Sequence, residues 1–247
     1  MGKLKGLLLT EGLHGMISQV EGLAKALDLN YFHEKVELNS FWKLIPPKFT
    51  PVKKFVFKNN IKRDFDIIIS CGRKSVIPSI FLKKNNSKKI KNIHVQDPKV
   101  NFKNFDYIIS PEHDDLKGDN ILSSKGAIHY LTSEEINEKK NYLLEKISKE
   151  KKIITLILGG PTKYYEYSNQ NLLNIFSKIS KQVLNNNLQV IVIPSNRTPS
   201  KTIDLAKKFF TNEHLIIDKV DKDAYLSSLG IADYIIVTCD SSSMISE

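Results

Sequence analysis

The chain has 247 residues, of which 41% are hydrophobic, and its 37 Lys and Arg outweigh its 27 Asp and Glu to give a formal charge of +10. No apolar run reaches the roughly 18 residues that a membrane span requires, and the short run before Thr10 has no signal-peptide cleavage site. The charge favours phosphate-bearing partners. Since the sequence has no recognition helix, zinc finger or aromatic and basic RNA signature, we expect no nucleic acid partner.

Short apolar runs alternate with helical patterns along the chain, which indicates a mainly parallel sheet covered by helices. Strands are predicted over nine ranges, 4–10, 31–38, 66–71, 91–96, 107–110, 153–158, 189–193, 214–218 and 234–238. Apolar residues at helical spacing predict amphipathic helices over 16–27 and 169–184. A lysine-rich helix is predicted over 133–152, with its start at Leu131 and Thr132.

The strand pattern restarts at Ile153, directly after the lysine-rich helix, as it would in a second sheet. We therefore predict an α/β protein with two lobes, 1–150 and 151–247. The stretch 41–60 has three prolines and no clean periodicity, so it is predicted to be an irregular excursion of the first lobe.

Ligands of open parallel sheets bind beyond the carboxyl ends of the strands, so the residues after each predicted strand are the candidates for function. After the first strand, Gly12 and Gly15 permit a tight turn around His14, which could act as a base or a hydrogen-bond donor. An ordinary strand–helix loop with an exposed histidine is the alternative. The third strand is followed by the start of a predicted helix, with the residues Gly72, Arg73, Lys74 and Ser75. The backbone amides and polar side chains of this helix start could bind phosphate or carboxylate.

Two further strand ends place a histidine near a carboxylate. The first is His94-Val-Gln-Asp-Pro, with Gln96 and Asp97, and the second is Ser110-Pro-Glu-His-Asp, with Glu112 and His113. Such pairs could carry out acid–base chemistry or orient hydroxyl groups. Metal binding is less favoured because no His-x-x-x-His spacing is present, and Asx-turn capping by Asp97 and Asp114 is the remaining alternative.

In the second predicted lobe, Gly159 and Gly160 follow an apolar strand and would let a ligand approach the backbone closely, although no Gly-x-Gly-x-x-Gly or Walker pattern follows. Arg197 follows another strand and is a candidate for binding diphosphate. The last strand leads into a run of polar residues that could cap a helix or bind phosphate, namely Asp240, Ser241, Ser242 and Ser243. Glu247 could accept hydrogen bonds from ribose or sugar hydroxyls, or could simply sit favourably in a first helical turn.

Taken together, these stretches resemble the bacterial relatives of the mitochondrial fission ELM family, which are described as glycosyltransferases of the GT-B fold. The similar stretches follow the order of the family and cover nearly the whole chain. They are GLHGMISQVEGLA (12–24), CGRKSVIP (71–78), HVQDP (94–98), SPEHD (110–114), KGAIH (125–129), LGG (158–160), PSNRTP (194–199) and TCDSSSMISE (238–247).

The resemblance implies two Rossmann-like lobes that face a cleft, with the acceptor bound by the first lobe and a nucleotide-activated sugar bound mainly by the second. It implies no tightly bound metal or cofactor, because helix dipoles and basic side chains would offset the charge of the departing diphosphate. His14 is the expected base, with Asp97 or His113 in reserve. Family members continue past the last stretch, so the resemblance also implies that the second lobe is incomplete in this sequence.

Three functions follow as hypotheses. The leading one is a glycosyltransferase that uses a nucleotide sugar as donor substrate, and the others are a non-catalytic adaptor that recruits a protein partner at a membrane and an epimerase of the nucleotide sugar. Cys71 and Cys239 lack metal or redox spacing, which favours a reducing, cytoplasmic setting. The mixed aromatic and basic segment 53–63 is typical of peripheral contact with an anionic membrane at its inner face and would suit a lipid-linked acceptor, or it is a loop over the first lobe.

Overall fold

A computed structural model describes residues 2–61, 63–162, 167–211, 213–238 and 242–247. The chain divides into two compact units, one that runs to Tyr130 and includes Ser246–Glu247, and one that comprises Leu131–Ile245. Each unit contains its own parallel sheet.

The first unit has six strands, β1 (Lys5–Thr10), β2 (Asn30–Lys35), β3 (Ile67–Cys71), β4 (Lys91–Val95), β5 (Tyr107–Pro111) and β6 (Ile121–Ser124). They pair in the order β2-β1-β3-β4-β5-β6, and every pair is parallel. Helix α1 (His14–Ala26) follows β1, and helix α2 (Val76–Lys84) follows β3.

The second unit has four strands and five helices within the described residues. In chain order these are α3 (Ser133–Lys139), β7 (Lys152–Leu158), α4 (Asn169–Asn186), β8 (Leu188–Pro194), α5 (Ser200–Phe209), β9 (Leu215–Ile216), α6 (Lys222–Ile231), β10 (Tyr234–Val237) and α7 (Ser242–Ser246). The strands pair in parallel in the order β10-β7-β8-β9.

The central strands of both sheets are buried on two faces, which explains why β1, β7 and β8 are largely apolar rather than alternating. In β1, Leu7 and Leu9 pack into one core cluster while Leu8 packs into a second cluster with Val20 and Ala24 of α1. The second sheet divides in the same way between a cluster around Phe176 and another around Leu143. Burial on both faces makes strand existence easy to predict from composition.

The predicted alternation of strands and helices is confirmed, with differences at the ends of the elements. The lysine-rich helix is shorter than predicted, because α3 ends at Lys139 and gives way to a 3-10 segment, Lys140–Lys146. Its predicted start is correct, since the Thr132 hydroxyl accepts from the Glu135 amide in a capping box. The sequence patterns do not predict β6, α5 or α6.

The units divide at Tyr130 rather than near residue 150, because the helical segment after Thr132 packs on α6. The Ser227 hydroxyl of α6 accepts from the Leu143 amide at 3.1 Å and donates to the Lys140 carbonyl at 2.9 Å. Leu143 is fully buried in the second unit. The segment that separates the two sheets in sequence is therefore part of the second core.

The stretch 41–60 is irregular, as predicted. It forms short 3-10 turns at Ser40–Lys43, Pro47–Phe49 and Lys54–Val56. Within the part of the chain that the structure describes, none of the helices has the length and apolar character to cross a bilayer.

Candidate functional site

The carboxyl ends of the first sheet lie level with one another. Leu9 of β1 pairs with Ser70 of β3, Ser70 pairs with His94 of β4, and His94 pairs with Ile108 of β5. The loops that follow these strands therefore leave from one edge. The strand order reverses between β1 and β3, and such a switch point is where parallel sheets bind ligands.

An ion pair spans this switch point and joins the loop after β1 to the loop after β3. Glu11 Oε2 lies 2.7 Å from Lys74 Nζ, and Glu11 Oε1 accepts from the Lys74 amide at 3.0 Å. The expectation of free amides beside Arg73 and Lys74 is thus wrong for Lys74, because the chain supplies its own carboxylate. The Arg73 side chain donates to the Lys43 carbonyl.

Two glycines shape the same pair of loops. Gly12 has a φ of +83° and Gly72 a φ of +91°, values that residues other than glycine rarely adopt. The Gly12 amide donates to the Thr10 hydroxyl at 3.0 Å, which closes the turn before α1. The predicted turn at Gly12 is confirmed, and Gly15 lies in the first turn of α1.

A partly buried contact between two amide side chains joins α1 to the loop after β4, and the sequence patterns do not reveal it. The Gln96 side chain donates to Gln19 Oε1 at 3.3 Å, and Cys71 Sγ donates to the same oxygen at 3.7 Å. Burial, assisted by the charge of Glu11, raises the pKa of the Cys71 thiol to about 12. Cys71 is therefore a protonated core residue, and Ser75, also buried, donates to the Gly72 carbonyl at 2.7 Å.

The predicted acid–base residues stand along the same edge in different surroundings. His14 is exposed at the start of α1, and its ring meets that of Tyr130 edge to face at 6.1 Å. The Asp97 carboxylate accepts from the Lys99 amide at 2.8 Å and pairs with its ammonium at 2.5 Å. His113 is exposed, with Nε2 3.7 Å from Asp114, and Glu112 is exposed beside it.

His94 belongs to the core rather than to the edge. Its side chain is 1% exposed, and Nδ1 lies 2.8 Å from the Ser70 hydroxyl. Burial lowers the pKa of His94 to about 3, so the ring is neutral at physiological pH. A histidine one residue before a strand end is thus structural here, and no proton transfer is assigned to it.

The second sheet has its own switch point, between β7 and β10. Here hydroxyl groups join the loops. The Gly159 amide donates to Thr238 Oγ1 at 2.8 Å, and Thr198 Oγ1 lies 2.7 Å from the Leu158 carbonyl oxygen and 2.8 Å from that of Gly159. Thr198 Oγ1 also accepts from the Ser195 amide at 2.8 Å.

Gly160 is required for close packing of two loops of this unit. A Cβ atom at Gly160 would lie 2.0 Å from the Arg197 carbonyl oxygen and 2.5 Å from its carbonyl carbon. Arg197 itself is exposed. The double glycine therefore serves the contact between the loops after β7 and β8, and its part in binding a ligand stays a prediction.

The remaining predicted residues surround α7. Asp240 and Ser241 lie outside the described residues, and the backbone of Ser242 and Ser243 begins the helix. Glu247 follows α7 and is partly exposed. Among the described residues, no three His, Cys, Asp or Glu side chains lie close enough together to hold a metal ion.

Solved structures that share the fold include UDP-GlcNAc 2-epimerases. The chain matches the enzyme from Methanocaldococcus jannaschii with a TM-score of 0.56 and 15% identity, over 94% of this chain and 78% of that one. It matches the Neisseria meningitidis enzyme bound to UDP-GlcNAc with a TM-score of 0.56 and 8% identity, over 99% and 79% of the two chains. The two Rossmann-like units thus have the GT-B-type fold that was predicted.

Sequence comparison gives an uncharacterized protein of Rickettsia prowazekii (strain Madrid E), which is 26% identical over 218 residues. The aligned region is 74% of this chain, and the chain spans 61% of the relative's length. A family model described as Mitochondrial fission ELM1 matches residues 14–247.

Proposed function

The chain belongs to the mitochondrial fission ELM1 family, and on that premise we propose that the protein binds a nucleotide-activated sugar and transfers the sugar to an acceptor hydroxyl. The observation that carries the proposal is the position of the polar residues. In each unit, glycines and polar side chains gather at the carboxyl edge around the switch point of the sheet. Fold similarity alone would not identify a reaction.

The carboxyl edge of the first sheet, called the first edge below, supplies the ionisable groups that an acceptor site needs. His14 is exposed at the start of α1, three positions after Glu11, and would take the proton from the acceptor hydroxyl as the sugar is transferred. Asp97 is held by Lys99, and His113 stands beside Asp114, which makes both less available than His14. We assign His14 as the base.

The carboxyl edge of the second sheet, called the second edge below, supplies backbone and hydroxyl groups that suit a nucleotide diphosphate. Thr198 and Thr238 fix the backbone at Gly159, and the same loops carry the exposed Arg197. A guanidinium near fixed hydroxyl groups can neutralise the charge that builds on the departing diphosphate. The donor would therefore bind the second unit, and the acceptor, including a lipid-linked one, would bind the first.

Thermal unfolding of the intact protein with a panel of UDP-, GDP- and CMP-linked sugars tests donor binding. A nucleotide sugar at about 100 times its dissociation constant should add about 2.7 kcal/mol to the free energy of unfolding. If none of the panel raises the melting temperature, the proposal fails and a non-catalytic adaptor becomes the better account.

A His14→Gln variant tests the assignment of the base. Transfer should fall about 100-fold or more, since general base catalysis contributes about that much, while the affinity for the nucleotide sugar stays unchanged. His113→Gln is the matched control and should keep full activity. Equal loss in both variants would contradict the assignment of His14.

An epimerase is the second candidate, because the solved structures with the same fold act on UDP-GlcNAc. Product analysis with and without an acceptor separates the two reactions. A transferase releases the nucleoside diphosphate, or CMP from a CMP-linked sugar, only when an acceptor is present, whereas an epimerase converts the nucleotide sugar into its isomer without one.

A further inference from the structure

We propose that the loop surface formed by residues 38–61 of the first unit binds an anionic membrane. Four large apolar side chains of this surface face solvent, with exposed fractions of 65% for Phe41, 80% for Leu44, 71% for Phe49 and 58% for Phe55. All four lie within fifteen positions of the sequence, and no described residue of the first unit covers them. The inference stands independently of the proposed sugar transfer.

The charge of this loop surface is of one sign. Its sequence contains no Asp or Glu between Leu38 and Ile61, and its five basic residues are Lys43, Lys48, Lys53, Lys54 and Lys58. Large apolar side chains among lysines are the combination that lies in the headgroup region of an anionic bilayer, because the apolar groups enter the acyl boundary while the cations meet the phosphates.

The exposed side chains are held on a fixed frame. Pro47, Val56 and Phe57 of the same loop surface are buried, and the last two belong to the core of the first unit. The Asn59 side chain donates to the Lys35 carbonyl at 2.8 Å and accepts from the Glu37 amide at 2.8 Å. The chain therefore orders this segment while leaving apolar groups outside, which favours a binding role over loose packing.

Aromatic contacts join the first and last turns of the loop surface. The Trp42 ring lies 4.9 Å from the Phe41 ring and 5.9 Å from the Phe55 ring. The hydrogen bond from Arg73 to the Lys43 carbonyl ties the first of these turns to the loop after β3. A membrane bound here would lie beside the carboxyl edge of the first sheet.

Nucleic acid also attracts lysines, but Leu44 is among the most exposed of these side chains and offers it nothing to stack on or donate. A bilayer uses both the charge and the aliphatic surface. The observations therefore favour lipid, and binding of RNA becomes an outcome of the test.

Co-sedimentation of the full chain with vesicles tests the proposal. Vesicles of phosphatidylcholine mixed with phosphatidylglycerol should bind the chain, and vesicles of phosphatidylcholine alone should bind it far less. The variant K43Q/K48Q/K53Q should bind about 100-fold more weakly, since each basic residue near an anionic surface contributes about fivefold. The control K178Q/K181Q/K201Q removes the same charge from exposed positions of the second unit and should bind as the unaltered chain does.

The apolar contribution is tested separately with L44Q/F49Q, which should bind at least about tenfold more weakly, against L184Q/V220Q, which removes exposed apolar groups elsewhere. Circular dichroism should confirm that all four variants fold. Equal binding by the two lysine variants would overturn the proposal. So would unchanged binding by L44Q/F49Q, or a preference for an RNA oligonucleotide over the vesicles.

Discussion

At the carboxyl edge of the first sheet, neighbouring loops are joined by charges, whereas at the second they are joined by hydroxyl groups and main chain. Glu11 and Lys74 meet across the first switch point. Thr198 and Thr238 hold the loops at the second, where Gly160 lets two backbones touch. Two sheets of the same kind thus present different chemistry at equivalent positions.

This difference suggests a division of labour. Ionisable groups can move protons, and they tolerate rearrangement when a substrate brings its own charge. A hydroxyl network is rigid and neutral, which suits the precise placement of backbone groups around a phosphate. We therefore propose that the first edge carries out the chemistry and that the second holds the nucleotide.

Gly160→Ala should cause the largest loss of stability among the variants that test this comparison. Its Cβ would meet backbone atoms of Arg197, which cannot rotate away, so we expect a loss of about 3 kcal/mol. Urea unfolding followed by far-UV circular dichroism measures it. In the control Gly118→Ala, the Cβ would lie 3.3 Å from the end of the flexible Ile121 side chain, and the change should stay within about 0.5 kcal/mol. Similar values for both would show that the two loops are not in contact.

Acidification should weaken the first sheet through His94. The pKa of this buried ring is lowered to about 3, so below pH 6.5 the unfolded chain takes up a proton that the folded chain excludes. Between pH 7 and pH 5 the free energy of unfolding should fall by about 2 kcal/mol for this reason. Urea unfolding followed by the fluorescence of Trp42, the single tryptophan, measures this fall.

The His94→Gln variant has no group to titrate there, so its stability should fall by about 2 kcal/mol less over the same pH range. His33 and His214, whose pKa values are also lowered by burial, contribute equally to both proteins and cancel in the comparison. An identical fall in the two proteins would contradict the burial of His94.

Thr198→Val should cost about 1.5 kcal/mol, because it removes a hydroxyl that bonds the backbone of both neighbouring loops. Thr202→Val is the matched control. Thr202 is 1% exposed, and its hydroxyl makes no hydrogen bond within the described part of the chain, so its replacement should be neutral or stabilising. Equal effects of the two changes, measured by urea unfolding, would show that the Thr198 hydroxyl does not stabilise the loops of the second edge.

Glu11→Gln should cost less, about 1 kcal/mol, because glutamine removes the charge opposite Lys74 but keeps an oxygen that can accept from the Lys74 amide. The loss should shrink as salt is added. Asp115→Asn breaks the exposed pair with Lys117 and should change nothing measurable in the same urea titration. A larger loss from Asp115→Asn would mean that the first edge is not held by its ion pair.

The sequence predicts the α/β class and most strands because burial on both faces leaves continuous apolar runs. It does not predict β6, whose Ile121-Leu-Ser-Ser sequence is half polar and becomes a strand only by pairing with β5. It places the helix start at Thr132 correctly because a capping box is local.

The composition of the two edges is predictable, but their contacts are not. The sequence shows that Gly12, Gly72 and Arg197 follow predicted strands. The partner of Lys74 lies 63 positions away at Glu11, and no local pattern links them. In the same way, the sequence of Gly159 and Gly160 predicts a ligand-binding loop. The structure shows that Gly160 packs against the backbone of Arg197. Long-range contacts decide which polar groups are free.

Hydrogen exchange of the intact protein, measured with and without the nucleotide sugar that stabilises it most, tests whether the loops after β7 and β8 hold the donor. We predict slower exchange of the backbone amides at Gly159–Gly160 and Ser195–Thr198 when the ligand is bound. Exchange at these loops that no nucleotide sugar changes, or protection confined to other parts of the chain, would contradict the assignment of the second edge as the donor site.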